Sequence, residues 1–126
     1  MIRAQTWERD PSVLQAERRR HPRVQAAMQI EIRPIGMDVP MRLETTDVSL
    51  GGCYVEMALT LELGTKLDIV LWLGEHKVTT QGVVVTRHPQ FGNGIEFLNM
   101  PYQHRERLRF FLDSQDGFLQ AHSVTI

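Results

Sequence analysis

Four arginines and one histidine lie within six residues near the N-terminal end of this 126-residue chain. The run comprises Arg18, Arg19, Arg20, His21 and Arg23, and it contains no acidic residue. A guanidinium presents a planar fork of donors that fits phosphate oxygens and the O6/N7 edge of guanine. The run therefore predicts a binding site for an anionic ligand that carries guanine. A solvated basic turn is the alternative interpretation.

A second set of residues able to bind a ligand lies in the segment Asp47-Val48-Ser49-Leu50-Gly51-Gly52. A carboxylate accepts hydrogen bonds from the N1–H and amino group of guanine, the donor edge that arginine cannot read. On a strand, Asp47 and Ser49 would point to the same face. Gly51 and Gly52 would let the backbone approach a flat base. The alternative is a hairpin or bulge in which the Asp and Ser side chains bond to their own backbone.

The two segments together resemble the signature of the PilZ domain family, which is RRxxxR followed by (D/N)xSxxG. Residues 18–23 match the first part, and residues 47–52 match the second, without departure. A later segment, Gly94-Ile95-Glu96-Phe97, resembles the family's Gly-hydrophobic-x-Phe strand. The resemblance covers about residues 18–113.

The resemblance implies a mainly β protein: a six-stranded antiparallel β-barrel of the PilZ-like split-barrel type with a C-terminal α-helix. It also implies binding of bis-(3′,5′)-cyclic dimeric GMP (cyclic di-GMP), a bacterial second messenger with two guanines and two phosphates. In the family, the RRxxxR loop wraps around the ligand and the (D/N)xSxxG strand contacts a guanine. The implied ligand-binding residues are Arg18, Arg19, Arg23, Asp47, Ser49, Gly51 and Gly52.

When the family's contacts are carried over by position, the arginines and the segment 47–52 are expected to bind different parts of the ligand. Arg19 and Arg23 would take guanine O6/N7 edges and phosphates, and Arg18 would add a phosphate or stacking contact. Asp47 and Ser49 would bind a guanine on the barrel face, and the two glycines would allow its close approach.

Period-two alternation of apolar and polar residues predicts the elements that must position these side chains. Six strands are predicted, and the hairpin-sized turns between them favour a closed antiparallel barrel. The predicted strands span residues 28–33, 41–45, 53–57, 67–73, 77–87 and 94–97.

One helix is predicted near each end of the chain. Asp10-Pro11 can cap and start a short N-terminal helix that reaches about Arg18. Asn99-Met100-Pro101 can start a C-terminal helix. Its apolar face would carry Leu108, Phe111 and Leu112. The expected divisions are an N-terminal segment (1–17), a PilZ-like domain (18–113) and a C-terminal tail without a strong pattern (114–126).

Composition narrows the classes of function. The chain has 14 Lys+Arg and 15 Asp+Glu, a formal net charge of −1, which argues against binding polymeric nucleic acid by charge alone. The single cysteine, Cys53, excludes an intrachain disulfide and favours the cytoplasm. The longest apolar stretch, Ile69–Leu73, is five residues, so membrane insertion is not expected.

No catalytic site, cofactor or metal site is expected. The five histidines are scattered without metal-ligand spacing. Ser49, His88 and Asp47 lack the GxSxG context of a hydrolase.

The sequence is therefore interpreted as a single-domain cyclic di-GMP receptor or adaptor. Binding is expected to change the conformation of the N-terminal Arg loop and to signal to a separate protein partner, and the sequence leaves open whether the chain forms a homodimer. The alternative is an adaptor that keeps this fold but binds no ligand. A single-stranded nucleic-acid barrel is disfavoured, because the strands carry few aromatic residues for stacking.

Overall fold

A computed structural model describes residues 22–125, with the side chains of residues 22–115. Within this part of the chain, seven strands are followed by one long helix. In chain order they are β1 (Val24–Gln25), β2 (Gln29–Pro34), β3 (Met41–Val48), β4 (Gly52–Glu56), β5 (Lys66–Leu73), β6 (His76–His88), β7 (Gly92–Leu98) and α1 (Tyr102–Thr125).

The strands form one antiparallel sheet in the order β1-β3-β2-β5-β6-β7-β4. An additional pairing between β3 and β4 joins the two sides of this sheet. Strands β2 to β7 thus form the closed six-stranded barrel that the sequence predicted. Closure leaves no free lateral edge along most of the strands, which protects them from pairing with other chains. The short β1 is an extra strand outside this ring, paired with the end of β3.

The barrel interior is filled by apolar side chains from alternate strand positions. Period two places every second residue on the inner face, and fully burying one such side chain contributes about 1.5–3 kcal/mol. The predicted alternation is therefore confirmed in the strands that carry the core. The fully buried aliphatic residues include Ile30, Ile32, Val55, Leu67, Ile69, Leu71 and Val78.

Helix α1 packs against the barrel through the predicted apolar face. Leu108 and Leu112 are buried, and Phe111 is half-buried against the core. The helix continues to Thr125, through the residues that the sequence left without a pattern. The predicted N-terminal helix lies outside the described residues.

Two polar side chains of α1 complete the edge of β6, which extends beyond its partner β7. Pairing between these strands reaches only as far as Gln81. Before that point, the Thr79 N–H donates to His104 Nδ1 at 2.8 Å, and Arg107 Nη1 donates to the Lys77 carbonyl at 2.9 Å. The helix thus supplies hydrogen-bond partners to backbone groups of β6 that face away from β5 and have no strand on that side.

Candidate ligand-binding face

Strand β1 places the end of the arginine run next to Asp47 of the segment 47–52. Its two residues pair with β3 in the register Val24↔Val48 and Gln25↔Asp47. Arg23 immediately precedes β1, and its Nη1 lies 3.8 Å from Asp47 Oδ1. The side chains of Arg23 and Asp47 are 53% and 25% exposed. A guanidinium and a carboxylate that are far apart in sequence therefore stand side by side on the outer surface, accessible from solvent.

A β-bulge in β3 places Asp47 on that outer surface. The register of β3 against β4 shifts between Thr45 and Asp47, so Thr46 is an extra residue. Thr45 and Val48 are both buried. Uninterrupted alternation from Leu43 through Thr45 would have directed Asp47 into the barrel. The bulge that orients Asp47 therefore lies at Thr46, ahead of the separate bend at residues 50–51.

Ser49 lies in the turn that follows β3, and its side chain is engaged there. Its Oγ accepts hydrogen bonds from the backbone N–H of Gly51 at 3.1 Å and of Gly52 at 3.2 Å. The Ser49 N–H donates to the Gly52 carbonyl at 2.8 Å. The residue is only 7% exposed. Strand alternation does not extend to Ser49 because β3 ends at Val48, and the observed bonds are those of a side chain that caps its own turn.

Gly52 is required by the barrel itself. A Cβ at this position would overlap the carbonyl oxygen of Ile95 on β7. The neighbouring Gly51 carbonyl accepts a hydrogen bond from the Phe97 N–H at 2.8 Å. The close approach of β4 to β7 thus gives Gly52 a structural reason to be glycine, in addition to the ligand contact that the sequence suggested.

Cys53 lies on the inner face directly beneath this region. It is buried, as expected for a strand residue that behaves as a small apolar group. Burial, and secondarily the carboxylate of Asp47, raise the pKa of the thiol to about 12. The thiol is therefore protonated at neutral pH and is not a nucleophile there.

The described residues thus bring together five of the seven residues expected at the ligand site. Arg23 and Asp47 share the outer surface, and the turn 49–52 adjoins them. The predicted ligand-binding residues Arg18 and Arg19 lie outside the described residues.

Tyr54 is a surface residue that sequence reasoning did not assign to the site. It is the β4 partner of Asp47 in the β3–β4 register, and its hydroxyl lies 3.0 Å from His88 Nδ1. The alternation Cys53-Tyr54-Val55 was the available signal, since it directs Tyr54 outwards. His88 Nδ1 thus bonds to Tyr54, and the Ser49 hydroxyl bonds within its own turn.

Among the side chains described between residues 22 and 125, no group of three or more His, Cys, Asp or Glu is placed to hold a metal ion. No helix in the same range combines the length and apolar character needed to span a membrane.

Comparison with protein families gives one match that covers most of the chain. The family model of the PilZ domain matches residues 17–114. No curated protein matches the chain.

Solved structures with the same fold are similar at low sequence identity. They include the inhibitor of motility MotI/DgrA from Bacillus subtilis, at 22% identity and a TM-score of 0.64, covering 79% of this chain and 52% of that one. The PilZ domain of YcgR from Escherichia coli with c-di-GMP is 16% identical, with a TM-score of 0.67. The match covers 86% of this chain and 99% of that one. A longer chain of YcgR from Escherichia coli, in complex with c-di-GMP, is 19% identical, with a TM-score of 0.70. The match covers 86% of this chain and 50% of that one. This chain spans about half the length of MotI/DgrA and of the longer YcgR chain.

Proposed function

This chain belongs to the PilZ domain family, and from that premise we propose that it is a receptor for cyclic di-GMP that regulates by binding rather than by catalysis. The observation that carries the proposal is the pairing of β1 with β3, which sets Arg23 beside Asp47 on the outer surface. The two groups are complementary to the acceptor edge and the donor edge of guanine. The two similar structures of YcgR that contain c-di-GMP support the same proposal.

The ion pair between Arg23 and Asp47 is well suited to being opened by a ligand. At 3.8 Å, with both side chains partly exposed, the pair contributes about 0–1 kcal/mol. A guanine can replace it with stronger bonds, because Arg23 would donate to O6 and N7 while Asp47 would accept from N1–H and the amino group. Little stability is therefore lost when the ligand separates them.

The other expected site residues divide into two roles in this proposal. Arg18 and Arg19 complete the grip on the phosphates and the second guanine. Ser49, Gly51 and Gly52 hold the turn that fixes the direction of Asp47, since their polar groups are already bonded within the turn or to β7.

Isothermal titration of the full chain with cyclic di-GMP, beside cyclic di-AMP, tests the receptor function. We expect saturable binding of cyclic di-GMP and at least about tenfold weaker binding of cyclic di-AMP, because adenine offers neither the O6 acceptor nor the N1–H donor. The same titration gives the number of ligands per chain. Equal affinity for both nucleotides, or no heat from either, would overturn the proposal, and the latter result would favour an adaptor that binds no ligand.

The proposal includes a change in the Arg loop. Arg23 must leave Asp47 to contact a base. It adjoins β1 directly, and His21-Pro22 joins it to the preceding arginines. Ligand binding would therefore reposition the segment before β1 and present an altered surface to a separate protein partner. The lone buried cysteine suits a reducing compartment, so we place this signalling in the cytoplasm.

Hydrogen exchange measured with and without cyclic di-GMP tests this switch. Peptides covering residues 10–25 should gain protection when the ligand binds, whereas peptides from β5 in the barrel core should not change. Binding without any change in residues 10–25 would refute the switch and leave the receptor function intact.

A further inference from the structure

An open cleft of about 430 Å³ lies on the outer surface beside β4. We call it the aromatic cleft. Its lining residues are Tyr54, Glu56, Met57, Ala58, Gln90 and Phe91. The Met57 N–H donates to the Phe91 carbonyl at 3.0 Å, which fixes the segment after β4 against the turn before β7. The cleft combines two aromatic side chains with a carboxylate and a carboxamide, and it is large enough to hold a flat heterocycle.

The ring of Tyr54 is held in one orientation at this cleft. Its hydroxyl bonds to His88 Nδ1 at 3.0 Å, and the two rings lie 5.8 Å apart at an angle of 46°. The ring also lies close over β7, since a Cβ added at Gly92 would come within 2.8 Å of Tyr54 Cε2. An aromatic ring fixed in this way loses little further entropy when another ring stacks on it.

The turn between β6 and β7 presents Phe91 to solvent at a conformational cost. Gln90 has a φ of +72°, in the left-handed region that non-glycine residues rarely adopt. The Phe91 N–H donates to the His88 carbonyl at 2.8 Å and closes the turn. Phe91 is 72% exposed. A strained turn that displays a large aromatic side chain beside a cleft is an arrangement found at binding sites.

The carboxylate of Glu56 gives the aromatic cleft a preference for guanine over adenine. Glu56 is exposed at the end of β4, two residues after Tyr54. Its carboxylate can accept from the N1–H and the amino group of guanine, whereas adenine has an acceptor at N1. Stacking on aromatic side chains adds affinity for any base.

The cleft is continuous with the face that carries Asp47. Tyr54 is paired with Asp47 across β3 and β4, so the aromatic cleft begins one strand away from the ion pair. We propose that the aromatic cleft is the subsite for the second guanine of cyclic di-GMP, an inference that rests on the receptor function proposed above. Stacking comes from Tyr54 and Phe91, and Glu56 reads the donor edge of the base.

The test uses two ligands and two pairs of matched variants. The ligands are cyclic di-GMP and the 3′,5′-linked cyclic GMP–AMP, which replaces one guanine by adenine. Phe91→Ala is matched by Phe110→Ala, an equally exposed phenylalanine (76%) on α1. Glu56→Gln is matched by Glu75→Gln, an exposed acid in the turn between β5 and β6. Affinities come from isothermal titration, and thermal unfolding verifies that each variant is folded.

We expect Phe91→Ala to weaken binding of both ligands at least about fivefold. The unaltered chain should prefer cyclic di-GMP by about tenfold or more, and Glu56→Gln should bring this ratio towards one. Neither Phe110→Ala nor Glu75→Gln should change the affinity or the ratio.

The outcomes separate this subsite from the receptor function. No binding of cyclic di-GMP by the unaltered chain would overturn both. Normal binding with no effect of Phe91→Ala or Glu56→Gln would overturn the subsite alone, and would leave exposed Phe91 as a contact for a protein partner. A weakened Phe91→Ala together with an unchanged ligand ratio in Glu56→Gln would also overturn it, because the cleft would then not read guanine.

Discussion

The segment from Asp47 to Gly52 contains two regions with opposite physical character. At one end, Asp47 is partly exposed and meets Arg23 through a single contact of 3.8 Å. At the other end, the Ser49 hydroxyl accepts two backbone hydrogen bonds, and Gly52 lies too close to the Ile95 carbonyl for any Cβ. The first region has bonding capacity left for a ligand, and the second has almost none.

Within one short motif, this difference separates a residue suited to ligand recognition, Asp47, from residues that form the framework around it, Ser49 and Gly52. A group that is to bind a ligand must be able to exchange its present partner at small cost, as a surface ion pair can. A group that positions it must be satisfied within the fold, because a buried unpaired polar group is costly. Substitutions in the two regions should therefore act on different measured quantities.

The largest effect on stability should come from Gly52→Ala. Its Cβ would overlap the Ile95 carbonyl oxygen, and this backbone atom cannot move without distorting β7. We expect a loss of about 3 kcal/mol or more in the free energy of unfolding, measured in urea. Gly74→Ala is the control, since its Cβ meets no atom within 4 Å and its φ of +65° alone should cost about 1 kcal/mol. Equal losses in the two variants would contradict the framework role of Gly52.

Ser49→Ala should have the next largest effect. It removes the acceptor of the Gly51 and Gly52 N–H groups in a turn where water has little access, which costs about 1–3 kcal/mol of unfolding free energy. Ser49→Thr keeps the hydroxyl and should recover part of this loss. A Ser49→Ala variant as stable as the unaltered chain, but with greatly weakened ligand binding, would move Ser49 to the recognition region.

The buried thiol beneath Asp47 predicts a loss of stability at alkaline pH. The pKa of Cys53 is raised from 9.0 to about 12 in the folded state. Above pH 9 the unfolded chain releases this proton while the folded chain keeps it, so folding stability falls as pH rises from about 9 towards 12. The slope attributable to Cys53 is up to about 1.4 kcal/mol per pH unit. Unfolding of Cys53→Ala over the same pH range should lack this component, and parallel curves would refute it.

The smallest effect on stability should come from Asp47→Asn. The ion pair that it removes is partly solvated, so the free energy of unfolding should change by less than about 1 kcal/mol. The same variant should bind cyclic di-GMP about tenfold or more weakly, because the amide cannot accept from both guanine donors as a carboxylate does. Denaturation and titration of one preparation measure both quantities. Strong destabilisation would contradict the assignment of Asp47 to recognition.

Much of the fold could be predicted from the sequence because period-two alternation records which side of a strand is buried. Ile30 and Ile32, for example, lie inside the barrel as their spacing predicts. The bulge at Thr46 could not be predicted in the same way. It depends on how β3 is shared between β2 and β4 as the barrel closes, and two adjacent threonines carry no signal for it.

The candidate site was predictable in its residue types but not in its division of roles. The resemblance grouped Asp47, Ser49 and Gly52 as ligand contacts. Only the packing of β4 against β7 shows that Gly52 has a second constraint within the fold. Tyr54 was not assigned because a lone tyrosine on a strand has no meaning until its register partner is known.

We propose that Arg23 and Asp47 form the guanine-reading pair of a cyclic di-GMP receptor. The most direct test of this claim is calorimetric titration of Arg23→Ala with cyclic di-GMP, beside Arg42→Ala. Both variants remove an exposed arginine that pairs with an acid, Asp47 in one case and Glu31 in the other. We expect Arg23→Ala to weaken binding about tenfold or more and Arg42→Ala to leave it unchanged. Equal affinities in the two variants would contradict the claim.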